Sequence, residues 1–166
     1  MTEITYDVVE VSVAGYSTVM GALADGKISI TNSQDTRDIE VEKSWANADG
    51  TDTWPAGVEV EIQLTADGEE VEGKTLTLNA ENPSDTFEDL PTHKNVNGTM
   101  TEIVYSVEEL DVAGYSSSVG ALNDGKITIT NSQDTTSIEV SKTWENADGS
   151  TDWPEDVTVV VQLTRF

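Results

Sequence analysis

The chain has 166 residues, 36% of them hydrophobic, enough for one or two small domains with cores of their own. Its 32 acidic and eight basic residues give a formal charge of −24, which argues against nucleic acid or an anionic membrane surface as a partner. With no cysteine and a single histidine, neither a disulfide, a thiolate metal site nor a multi-histidine metal site can be assembled.

Side chains on a strand alternate between faces, so parity along each apolar run says which residues point inward. In the first run Ile4, Tyr6, Val8 and Glu10 share a face, and in KISITN so do Ile28, Ile30 and Asn32. DIEVEKSW, residues 38–45, puts Ile39, Val41, Lys43 and Trp45 on one face and Glu40, Glu42 and Ser44 on the other. The turn NADGTDTWP follows, then runs at Val58–Leu64 and Thr75–Leu78 separated by ADGEEVEG. After ENPSD comes PTHKN, where His93 reads as a solvated loop residue. The run from Ile103 to Glu109 aligns Ile103, Tyr105, Val107 and Glu109, and Lys126–Asn131 aligns Ile127, Ile129 and Asn131. Beyond it, Ile138, Val140, Lys142 and Trp144 repeat the earlier phase. No amphipathic helix of normal length is present, and short strands at regular spacing predict an antiparallel β-sandwich of roughly seven strands.

Residues 1–67 realign onto 100–166 without a gap, so MTEITYDVVEV meets MTEIVYSVEEL and GKISITNSQDT meets GKITITNSQDT. This is a tandem array of domain-sized units. Cutting at NSQDT predicts a complete unit at 37–135, the last strands of a preceding unit at 1–36 and the first strands of a following one at 136–166. Almost no linker separates NSQDT from the next strand, which predicts stiff joints.

Three inward polar residues, Lys43, Glu109 and Asn131, need an account. A lysine stem packed on the core with its head in water is one reading. A buried ion pair with an amide hydrogen bond is another, at a desolvation cost that such pairs often fail to recover. The third is chemical: desolvation favours a neutral amine and a neutral carboxyl, a set suited to lysine attack on the asparagine carbonyl carbon with loss of ammonia.

VEKSWANADGTDTWPAGVEVEIQLTADGEEV, FEDLP, YSVEELDVAGYS and ITITNSQDT, in that order, closely resemble the collagen-adhesin B-type (CnaB-like) domains of Gram-positive surface proteins and pilins. The resemblance implies an all-β, Ig-like (CnaB-type, inverse Ig) sandwich in tandem array. It also implies an autocatalytic isopeptide bond from Lys43 to Asn131 assisted by Glu109, with Glu10, Asn32 and Lys142 at the equivalent positions of the flanking segments. Glu108, the rival carboxylate, has outward parity. The implied role is a stalk repeat of an extracellular, cell-surface adhesin or fibre that is not an enzyme in the ordinary sense and uses no cofactor. Its implied partners are neighbouring repeats, or other copies joined head-to-tail through complementary end segments.

The alternative is a ligand-binding adhesion module. NADGTD (47–52) and NADGSTD (146–152) loosely resemble calcium loops but lack the full ligand set and following glutamate, so no metal is expected there. Trp54 and Trp153, each before a proline, find no place in the core pattern. No membrane-spanning run is present, and MTEITYD lacks the basic and apolar regions of a signal peptide, so an export signal is expected elsewhere in the parent.

Overall fold

A computed structural model describes residues 1–165, all in strands, turns and irregular segments. Met1–Asp134 forms one compact unit and the residues from Thr135 a second. In the first, β1 (Tyr16–Met20) and β2 (Ile30–Gln34) pair as an antiparallel ribbon. The chain then runs through β3 (Thr36–Ala46), β4 (Val60–Ala66), β5 (Glu69–Leu78) and β6 (Ser84–Pro91). A second ribbon of β7 (His93–Val96) and β8 (Thr99–Glu102) precedes β9 (Tyr105–Glu109), β10 (Tyr115–Val119) and β11 (Lys126–Gln133).

Seven of these strands make the sandwich. A four-stranded sheet in the order β10-β11-β3-β6 faces a three-stranded sheet in the order β5-β4-β9. The core lies between them, where Ile39 and Val41 of β3 and Ile127 and Ile129 of β11 meet Ile62 and Leu64 of β4 and Val107 of β9, all essentially buried. Each such aliphatic side chain contributes about 1.5–3 kcal/mol by leaving water. The charged neighbours take the opposite parity: Glu40 and Glu42 face outward across from Lys126, whose Nζ lies 2.6 Å from Glu42 and 3.7 Å from Glu40.

The all-β sandwich agrees with the sequence reading, with one departure from an antiparallel pattern. β3 and β11 run parallel, in register from Lys126 opposite Glu40 to Ser132 opposite Ala46. Parallel neighbours need a long crossover, supplied here by everything between them. Local differences are smaller. Val58 lies outside β4, its carbonyl accepting the Trp54 indole N–H at 2.9 Å. β5 begins well before Thr75, because Asp67 and Gly68, with φ of 53° and 84°, form a tight turn of the kind that joins twisted hairpin strands.

Residues 1–13 form no strand, and Ile4, Tyr6 and Val8, whose counterparts Ile103, Tyr105 and Val107 are core, are exposed. In the second unit residues 135–165 form no strand, although Asn146 donates to the Ser150 hydroxyl and the Asp152 carbonyl as Asn47 does to Thr51 and Thr53. Among the described residues no helix is long and apolar enough to cross a membrane.

Candidate functional site

β3 and β11 lie side by side with their inward faces in phase, so Lys43 sits opposite Ile129 and Asn131 opposite Trp45, one inward step further along. Glu109 comes from the facing sheet, at the end of β9 opposite Ile62 of β4. The three polar residues singled out by parity therefore meet at one end of the core. Glu108, their rival, is exposed.

The contacts are close and dry. Lys43 Nζ lies 3.6 Å from Glu109 Oε2, and the two side chains are 0% and 1% exposed. Asn131 Nδ2 donates to Glu109 Oε1 at 2.6 Å, and Lys43 Nζ donates to the Ser44 carbonyl at 3.0 Å. Glu109 Oε2 and Asn131 Oδ1 are buried without a hydrogen-bond partner, each a cost of about 1–3 kcal/mol if left so. Burial pushes the Lys43 ammonium below the usual lysine range, opposed by the nearby charge of Glu109. The lysine head does not reach water, which removes the snorkelling reading.

Aromatic rings close this end of the sandwich. The Trp45 ring centroid is 4.3 Å from Lys43 Nζ, and its ring meets Trp54 and Tyr115 edge-on at 5.2 Å and 4.8 Å. Tyr115 donates its hydroxyl to Asn47 Oδ1 at 2.8 Å, and the Ala48 N–H donates to Gln133 Oε1 at 2.9 Å. The start of the loop NADGTDTWP is thereby tied to the paired residues Tyr115 of β10 and Gln133 of β11. Trp54, unplaced from sequence, is part of this cover, and Tyr115 was missed. Their signal was recurrence: Trp54 returns as Trp153 and Tyr115 as Tyr16.

In that loop Asp49 Oδ1 accepts from the Thr51 hydroxyl at 2.7 Å and its N–H at 2.9 Å, which holds the Asp49 carboxyl below the usual carboxylate range. The acidic turn is self-satisfied, and among the described residues no group of three or more His, Cys, Asp or Glu could hold a metal ion.

The flanking counterparts keep parts of the arrangement. In the first unit Asn32 Nδ2 donates to Glu10 Oε1 at 2.7 Å, as Asn131 does to Glu109. In the second unit Lys142 Nζ lies 4.2 Å from the Trp144 ring centroid and donates to the Thr143 carbonyl at 2.6 Å, as Lys43 does beside Trp45 and Ser44.

The model of the Cna protein B-type domain matches residues 39–132. Among solved structures, the two B repeat units (B1B2) of the collagen binding protein of Staphylococcus aureus align at 27% identity and a TM-score of 0.50, over 74% of this chain and 31% of that one. A single B repeat unit of the same collagen binding surface protein aligns at 27% identity and 0.50, over 75% of this chain and 63% of that one. The pilus backbone RrgB of Streptococcus pneumoniae aligns at 26% identity and 0.45, over 60% of this chain and 21% of that one. The chain thus spans less than two thirds of each. No curated protein matches it.

Proposed function

Because the chain belongs to the family of Cna protein B-type domains, we propose that it is a load-bearing stalk repeat of a bacterial surface adhesin or pilus-like fibre, working outside the cell and stiffened by a Lys43–Asn131 isopeptide bond. One observation carries the reading. The Glu109 carboxyl bridges the two reacting groups, one oxygen 3.6 Å from the lysine amine and the other 2.6 Å from the asparagine nitrogen, in a pocket closed to solvent.

That bridge suits a proton shuttle. Moving a proton from Nζ to Oε2 frees the lysine lone pair, and burial favours the neutral amine. Nζ attacks Asn131 Cγ to give the tetrahedral intermediate. Glu109 passes the first lysine proton on to Nδ2, the Cγ–Nδ2 bond breaks and ammonia leaves, and the carboxylate so regenerated takes the second Nζ proton. One C–N bond forms as another breaks, and of the two protons lost by Nζ one departs with the ammonia and one stays on Glu109. No oxidant, metal or cofactor is consumed, and the groups react once.

The bond would join the first strand of the sandwich to the last. Tension entering at β3 and leaving at β11 would cross it, bypassing the segment between, and no reducing agent would open it. Intact mass tests the proposal. The folded chain is expected to be lighter by one ammonia, and Lys43→Ala or Glu109→Ala to restore the full mass; a wild type of unshifted mass refutes it.

A second reading has its own support. Residues 1–36 carry the Glu10–Asn32 pair and 136–166 carry Lys142 beside Trp144. Successive copies could thus complete a unit head-to-tail. Such a composite lacks counterparts of 68–99, but those residues supply β5 and β6, one edge strand of each sheet, and the ribbon strand β7, rather than the central β3, β4 and β11. Denaturing gel electrophoresis is expected to give a covalent ladder that Lys142→Ala abolishes; a monomer band alone excludes it.

A further inference from the structure

One turn occurs twice in the first unit, at Val13–Tyr16 and Val112–Tyr115, with different surroundings. Both copies are closed alike. The N–H of Tyr16 donates to Val13 and that of Tyr115 to Val112, each at 3.1 Å, while Asp35 N–H donates to Gly15 and Asp134 N–H to Gly114, each at 2.8 Å. Both glycines take left-handed φ, 77° and 80°. Gly15 is buried, and a Cβ there would lie 2.6 Å from His93 Cβ and 2.8 Å from His93 Cγ. Gly114 is exposed, and a Cβ there would meet nothing within 4 Å. The turns match; what faces them differs.

His93 stands where β6 turns into β7. Beside it the Thr92 N–H donates to the Asp35 carbonyl at 2.9 Å, and the Thr92 hydroxyl donates to the same carbonyl at 3.2 Å. Asp35 is the single residue between β2 and β3, and Thr36 already pairs with Pro91 in the larger sheet. A backbone passing from one ribbon to the next sandwich is thus held by two hydrogen bonds on one carbonyl and by a contact too tight for any side chain at Gly15.

We infer that this is the joint between consecutive repeats, in which the glycine turn of one repeat seats the Thr92–His93 corner of the next. This rests on reading residues 1–36 as the end of a preceding repeat. The partner is another copy of the same unit. The exposed turn at Gly114 is the same seat, shaped for the corresponding corner of a following repeat. Rotation about Asp35 would break both bonds to its carbonyl, so the array takes one repeated angle and behaves as a rod rather than as beads on a flexible thread.

Backbone relaxation and amide exchange on the 166-residue chain test the joint. In the wild type the amides of β1 and β2 should tumble with those of β3 to β11, and the Thr92 amide should exchange slowly. Gly15→Val should give β1 and β2 faster local motion and speed Thr92 exchange by roughly tenfold, as expected for losing a hydrogen bond. Gly114→Val imposes the same backbone strain without the clash and should leave Thr92 protected. Pairing Gly15→Ala with His93→Gly, which removes the nearest atom, should restore the wild-type pattern. Independent motion of β1 and β2 in the wild type, or equal effects of the two valines, overturns the inference. Intact mass of the same samples reports the isopeptide bond separately, so failure of the joint and failure of the bond are told apart.

Discussion

Replacing Lys43 by Met and Glu109 by Gln together would remove the proposed bond without leaving a lone charge in the core. Lys43 and Asn131 lie 88 positions apart. On the chain-entropy model for cross-links, a loop of that length lowers the free energy of folding by about 4.6 kcal/mol. With an unfolding entropy of about 2.1 cal/mol/K per residue, a sandwich of this size should lose about 20 °C in melting temperature. Lys43→Met alone should lose more, because Glu109, whose side chain is 1% exposed, would then be buried without its cation, a further cost of about 3–5 kcal/mol. Thermal unfolding followed by circular dichroism, with intact mass on each sample, separates the contributions. A double variant melting within a few degrees of a wild type that has lost ammonia would refute the reasoning, because the bond would then add nothing to stability.

Two further measurements follow from the same site. Pulled from its ends, the wild-type sandwich should release none of the chain between Lys43 and Asn131, whereas Lys43→Met should lengthen by about 300 Å, 88 residues at roughly 3.5 Å each; equal lengthening sinks the load path. In Asn131→Ala, where no bond can form, Lys43 keeps a pKa lowered from 10.5, chiefly by burial. Between the lowered value and 10.5 the unfolded chain holds a proton that the folded chain has released, so stability should rise with pH across that window. Near its upper end Tyr105, pushed above 10.0 by burial, acts in the opposite direction, so the rise should flatten. Adding Lys43→Met should abolish the rise; an unchanged pH profile would contradict the burial account.

The site was legible because a strand has period two. Parity alone put Lys43, Glu109 and Asn131 on inward faces, and the copies at Glu10, Asn32 and Lys142 showed the pattern to be systematic. Parity says nothing of which strands are neighbours or of their relative direction. The parallel pairing of β3 with β11 depends on chain crossing the whole sandwich, which no local window contains. β6 was hard to see because five of its eight residues are polar and a sixth is proline, although Phe87 and Leu90 anchor it. Trp54 and Tyr115 escaped for another reason. They cover the end of the sandwich rather than its inner faces, and a pattern along one strand does not predict packing over its end.

The parallel ladder between β3 and β11 has a mechanical consequence of its own. A pull on the start of β3 and the finish of β11 draws two parallel neighbours past each other along their length. Their hydrogen bonds are then sheared together across the register from Lys126 to Ser132, instead of being unzipped one after another from an end. An antiparallel pair pulled from one shared end would peel. Independently of any covalent bond between them, the first and last strands of the sandwich are therefore arranged to share a load along their whole common length, as a clamp made of backbone hydrogen bonds alone.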